Sequence, residues 1–227
     1  LVGSEMCIRD RYIICLLLLS AVGNKLDAQT VVKSVRQAND STNHALIHQI
    51  GFDVRPGYVA PTNSFLEGDN AQRQKIDRSL SLHLKYAFQF SKDSYLGRLY
   101  PHAYQGIGVS HNTFYNSAEL GNPVAVYAFQ GAPIVRLSSC LSLDYEWNFG
   151  ASFGWKQYDE HSNWYNDAIG SKINAYINLG FVLNWQFYPQ WKLAAGVDFT
   201  HFSNGNTRYP NGGLNTCLLY TSPSPRD

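Results

Sequence analysis

Between residues 79 and 203 apolar and polar side chains alternate in runs longer than the strands of most soluble domains. Leu80, Leu82, Leu84, Tyr86, Phe88 and Phe90 fall on one face of an extended chain, and Ser79, Ser81, His83, Lys85, Ala87 and Gln89 on the other. A second run sets Leu141, Leu143, Tyr145, Trp147, Phe149, Ala151, Phe153 and Trp155 against a polar face that carries Asp144 and Glu146. A third sets Ile173, Ala175, Ile177, Leu179, Phe181, Leu183, Trp185 and Phe187 against Lys172, Asn174, Asn178, Asn184 and Gln186. Weaker alternation predicts further strands over 49–59, 98–110, 123–137 and 190–203. Short links at 137–139 and 188–190 read as tight turns at one end, and 60–78, 111–122 and 156–171 as long loops at the other.

Strands of this length, with aromatics near their ends, suit a membrane-spanning barrel whose apolar side faces lipid and whose polar side lines the lumen. A soluble sandwich or lipocalin-like barrel would turn the apolar face inward, and the charges of Lys85, Asp144 and Glu146 on the opposite face speak against it. These charges read as salt bridges within the lumen, together with Lys172, because eight strands leave an interior filled by side chains. Seven strands are visible and an even number is expected. The fold class is therefore an all-β, antiparallel, eight-stranded outer-membrane β-barrel, with the last strand expected beyond Thr216 and missing through truncation.

The ends of the chain differ from this pattern. Residues 1–10 and 217–226 can be encoded by opposite strands of one DNA stretch, the mark of a translated sequencing adapter. The apolar run IICLLLLSAV at 13–22 is too short to span a bilayer and fits a secretory leader cleaved near Ala28. The expected organisation is adapter-derived residues 1–11, a signal peptide at 12–28, one barrel domain at 29–216 and adapter-derived residues 217–227. Of the four cysteines only Cys140 then lies in the barrel domain, which leaves no internal disulfide and no zinc-like cluster. A net charge of +1 gives no reason to expect nucleic acid. Export and the barrel pattern together predict a place in the bacterial outer membrane.

Candidate chemistry lies where the strand at 190–203 reaches the end with the long loops. Trp191, Leu193, Ala195, Val197 and Phe199 form its lipid-facing set, and His201 and Ser203 continue the same phase. Two residues apart on one face of a strand, their backbones sit about 7 Å apart, so an imidazole can reach a hydroxyl. A neutral imidazole in that position activates a serine as nucleophile. Taken alone, a His-x-Ser triplet reads better as polar residues where a strand leaves the membrane. Asp159, Glu160, His161 and Asp167 in the long loop read as solvated charges rather than a metal site.

The longer string His201-Phe202-Ser203-Asn204, followed by Pro210-Asn211 and Gly213, resembles the motif of the PagL-type lipid A 3-O-deacylases, a family of eight-stranded outer-membrane barrels. The resemblance implies a serine esterase that removes an ester-linked acyl chain from lipid A, with lipopolysaccharide as its partner and no cofactor or metal. Carried over by position, it makes His201 the general base, Ser203 the nucleophile and Asn211 an amide of the oxyanion hole, with a backbone N–H near Asn206 as second donor. The family's third triad member is a glutamate, and the matching residue here is Asn215. Asp198 faces the wrong way to replace it, whereas Glu119, Glu160 or Asp167 could reach in from the loops. A non-enzymatic barrel of structural or adhesive role and an outer-membrane phospholipase are the alternative readings.

Overall fold

The computed structural model describes residues 46–188 and 190–225. The expected leader and residues 1–11 lie outside the described residues. Eight antiparallel strands close into a barrel in sequence order: β1 (Ile47–Val59), β2 (Arg78–Gln89), β3 (Tyr104–Thr113), β4 (Gly121–Arg136), β5 (Leu141–Trp155), β6 (Ile173–Tyr188), β7 (Trp191–Ser203) and β8 (Leu214–Pro225). Closure pairs the backbone of every strand with two neighbours, the condition for crossing lipid with strands. No described helix is long and apolar enough to cross a membrane.

The alternation resolves as expected. Leu84, Ile107, Phe149, Ile177, Leu179, Trp185 and Phe199 stand exposed on the outside, while Ser81, His83, Asp144, Glu146, Asn148, Asn174, Asn178 and Asp198 are buried in the lumen. The eighth strand, expected to be missing, is present. Residues 217–225, set apart above as adapter-derived, supply most of β8, which pairs with β7 from Phe202↔Leu214 to Trp191↔Pro225 and with β1 from Val59↔Thr216 to Val54↔Thr221. The physical reason is that β7 and β1 each offer an edge that this segment pairs with, which turns Leu214, Thr216 and Leu218 inward and Leu219 outward.

Other departures have local causes. Strand 98–110 begins only at Tyr104, because Ser94 caps a short helix, α2 (Tyr95–Leu99), by accepting from the Gly97 N–H at 2.9 Å. The loop expected at 111–122 shrinks to 114–120, since His111 pairs with both Leu82 and Val124. Trp155, placed on the outer face by its odd number, turns inward because Gly154 adopts φ +89° and shifts the register. Lys172 is exposed just before β6 rather than in the lumen.

The lumen is filled in two zones. Toward the outer end lies an aromatic layer: Phe114 stacks on Trp155 at 5.6 Å, and Phe202 meets the edges of both and packs against Tyr176. Phe65 and Leu66 of helix α1 (Ser64–Glu67), with Leu120, Ala168 and Ile169 from other outer loops, join this core and close the mouth. Below it Arg55 of β1 bridges Asp53 and Asp198, and Lys85 of β2 pairs with Glu146 of β5. Asn178 donates to Asp198 at 2.8 Å and to Thr200 at 2.8 Å.

Removing one partner of a buried ion pair leaves the other charge without compensation. Arg55→Ala is expected to destabilise the barrel by about 3–5 kcal/mol, read as denaturant unfolding in detergent. Arg73→Ala, which removes the exposed pair with Asp69, should change it by less than about 1 kcal/mol. Equal effects of the two would contradict this ranking.

Candidate active site at the outer rim

The upper end of β7 carries the lipid-facing series to its last residue. Phe199 is exposed, His201 is half-buried and Ser203 is 8% exposed, while Asp198, Thr200 and Phe202 between them are buried in the lumen. His201 Nε2 lies 2.9 Å from Ser203 Oγ, and His201 Nδ1 lies 2.7 Å from Asn215 Oδ1. The second contact follows from register, because His201 and Asn215 are direct partners across β7 and β8 and share a face of the sheet. An amide oxygen only accepts, so Nδ1 carries the proton and Nε2 offers its lone pair to the serine hydroxyl.

The arrangement is closed from above by Gly213. A Cβ there would lie 3.2 Å from His201 Cε1 and 3.9 Å from Ser203 Cβ, and the residue adopts φ +70°. Glycine meets both conditions at once. The hairpin 204–213 starts as a tight turn in which Gly205 and Asn206 are both left-handed and the Thr207 N–H donates to Asn204 O at 3.3 Å. Asn206 thus sits at the turn tip, its side chain donating to the Tyr209 hydroxyl at 3.3 Å. Asn211 turns back toward the strand end, its Oδ1 accepting from the Asn204 N–H at 3.1 Å. That bond orients its NH2 group away from the Asn204 backbone.

Four hydrogen bonds dock the hairpin and the start of β8 on two other outer loops. Gly212 N–H donates to Asp167 O at 2.9 Å and Gly213 N–H to Ala168 O at 3.0 Å. Asn63 Nδ2 donates to Gly213 O at 3.2 Å, and the Ala60 N–H to Asn215 O at 2.9 Å. Sequence reading missed Asn63, and no spacing in the chain links residue 63 to residue 213.

The structure brings together His201, Ser203 and Asn215, with Asn211 on the adjoining turn. Among the described residues it brings no carboxylate to His201. Asp198 lies in the lumen on Arg55. Glu119 is buried and accepts from the Ala71 N–H and the Asn116 amide, both at 2.9 Å. Glu160 is exposed beside His161. The Asp167 carboxylate accepts from the Ser64 hydroxyl at 3.3 Å.

Burial raises the Asp167 carboxyl above its usual range, the Ser64 hydrogen bond opposing this in part. A carboxyl raised on folding favours the folded state at low pH, and that contribution is lost as pH rises through the folded value. Asp167→Asn should therefore flatten the fall in thermal stability from about pH 4 upward, measured as melting temperature against pH in detergent. The effect is small, because the residue is only partly buried and solvent screens the carboxyl. An unchanged pH slope would contradict it.

A closed eight-stranded barrel with an apolar outer face and a filled lumen defines a bacterial outer-membrane β-barrel protein. This chain belongs to the lipid A 3-O-deacylase (PagL) family, whose profile matches residues 81–222. Among solved structures it is similar to Neisserial surface protein A (NspA), with TM-score 0.49 and 6% identity over 80% of this chain and 98% of that one. It is similar to the outer membrane enzyme PagL, with TM-score 0.47 and 12% identity over 77% of this chain and 97% of that one. Ail, the attachment invasion locus protein of Yersinia pestis, matches with TM-score 0.42 and 9% identity over 80% and 99% of the two chains. No curated protein matches the chain.

Proposed function

We propose that this barrel is an outer-membrane serine esterase that removes the 3-O-linked acyl chain of lipid A. The observation that carries the reading is the hydrogen-bonded chain from Ser203 through His201 to Asn215 on the lipid-facing side of β7. A nucleophile placed there meets an ester in a lipid lying beside the barrel rather than a solute in the lumen. Membership of the PagL family supports lipid A as that lipid.

In this reading His201 Nε2 takes the Ser203 proton as Oγ attacks the ester carbonyl carbon. The resulting oxyanion is held by the NH2 group of Asn211 and a backbone N–H of the turn near Asn206. Collapse breaks the bond to the sugar oxygen, which leaves with the proton carried by His201. Water, deprotonated by the same imidazole, then attacks the acyl-serine and releases the fatty acid. Asn215 holds the ring in the tautomer that the first step needs. As a neutral amide it does not compensate the imidazolium charge as a carboxylate does, so the proposal assigns it orientation rather than charge stabilisation.

The test is release of hydroxy fatty acid from purified lipopolysaccharide by the full chain in detergent micelles. Ser203→Ala is expected to lower kcat at least about 10³-fold with the barrel still folded. Release that persists in that variant would refute the assignment, and release from phospholipid but not from lipopolysaccharide would make the protein a phospholipase. Asn215→Asp should raise kcat by about tenfold or more. A fall instead would mean that the amide does more than orient the ring.

A further inference from the structure

We propose that Asn63, in the loop between β1 and α1, is a positioning residue for the esterase site, an inference that rests on the esterase reading. Asn215 reaches His201 as the second residue of β8, separated by Leu214 from the pair Gly212 and Gly213. Two glycines bring no side chains to fix that approach, so it must be held through the backbone. Loop 156–172 holds the N–H side, with the carbonyls of Asp167 and Ala168 accepting from Gly212 and Gly213. The carbonyl side of Gly213 is held by the Asn63 amide, donating at 3.2 Å. The Gly213 carbonyl belongs to the peptide that leads into buried Leu214 and then Asn215. Rotating it tilts Asn215 against the imidazole.

Asn63 is rigid for an independent reason. Its Oδ1 accepts from the Leu66 N–H at 3.0 Å as N-cap of α1, whose Phe65 and Leu66 are fully buried in the core. One side chain thus uses its acceptor to anchor itself and its donor to anchor the site. The packing is close as well as polar, since a Cβ on Gly212 would lie 2.9 Å from Asn63 Nδ2. Aspartate and serine cap a helix as well as asparagine but lack the amide donor. Substitution can therefore separate the two functions.

The experiment uses the full chain in detergent micelles, with a p-nitrophenyl ester of a medium-chain fatty acid as substrate and a fluorophosphonate as label for Ser203. Wild type, Asn63→Ser, Asn63→Asp, Asn63→Ala and Ser203→Ala are compared by kcat, KM, labelling rate and Tm. The expected result is that Asn63→Ser and Asn63→Asp lower kcat and labelling rate about tenfold, the scale of one lost hydrogen bond, at unchanged KM and Tm. Asn63→Ala should add a fall in Tm. Wild-type kcat and labelling in the serine and aspartate variants would overturn the positioning role and leave the esterase reading standing. Slowing accompanied by the Tm loss of Asn63→Ala would make Asn63 merely structural and also overturn it. A wild type that is not labelled, or turnover that survives Ser203→Ala, would overturn the esterase reading and this inference with it.

Discussion

The pairing of every strand backbone within a closed barrel is the constraint on which the rest of this structure depends. Lipid offers no hydrogen-bond partners, so the sheet must close, and a closed sheet fixes which side of each residue meets lipid. Along β7 that side begins at Trp191 and ends at Ser203. The same phase that buries Asp198 and Phe202 in the lumen places His201, half-buried, and Ser203, buried, on the opposite face of the strand. The placing of the proposed site is thus a property of strand parity. A one-residue slip would carry the pair into a filled interior, where no lipid ester can enter.

Parity alone does not make the site. Asn215 meets His201 because β7 and β8 are in register, and that register is supported on both sides of the sheet. Inside, Asp198 binds Arg55 of β1 and ties β7 to the far side of the seam that β8 closes. Outside, loops 60–77 and 156–172 grip Gly212, Gly213 and Asn215 by backbone and side-chain hydrogen bonds. The outer loops therefore serve two purposes. Phe65, Leu66, Ala168 and Ile169 close the mouth, and the residues beside them, Asn63 and Asp167, hold the site hairpin.

Much of this was legible in the sequence, and the gaps have physical causes. The runs at 80–90, 141–155 and 173–187 gave the barrel because lipid on one side and polar lumen on the other produce a strict period of two. Trp155 escaped that rule through the single left-handed Gly154, which no period reveals. The eighth strand carries no such period, because its inward Leu214, Thr216 and Leu218 and its outward Asn215, Cys217 and Leu219 mix apolar and polar residues on both faces. The proximity of His201 and Ser203 followed from two-residue spacing, and Asn215 from the family motif. Asn63 was illegible, because a contact between loops 150 residues apart follows no periodicity.

In the proposed activity Ser203 removes an acyl chain from lipid A in the membrane where the protein resides. The most direct measurement is the mass spectrum of lipid A from cells that make this protein, set beside cells that make Ser203→Ala at equal outer-membrane level. Lipid A lighter by one hydroxyacyl chain is expected only where the serine is intact. Lipid A of unchanged mass in both, with both barrels folded in the outer membrane, would contradict it.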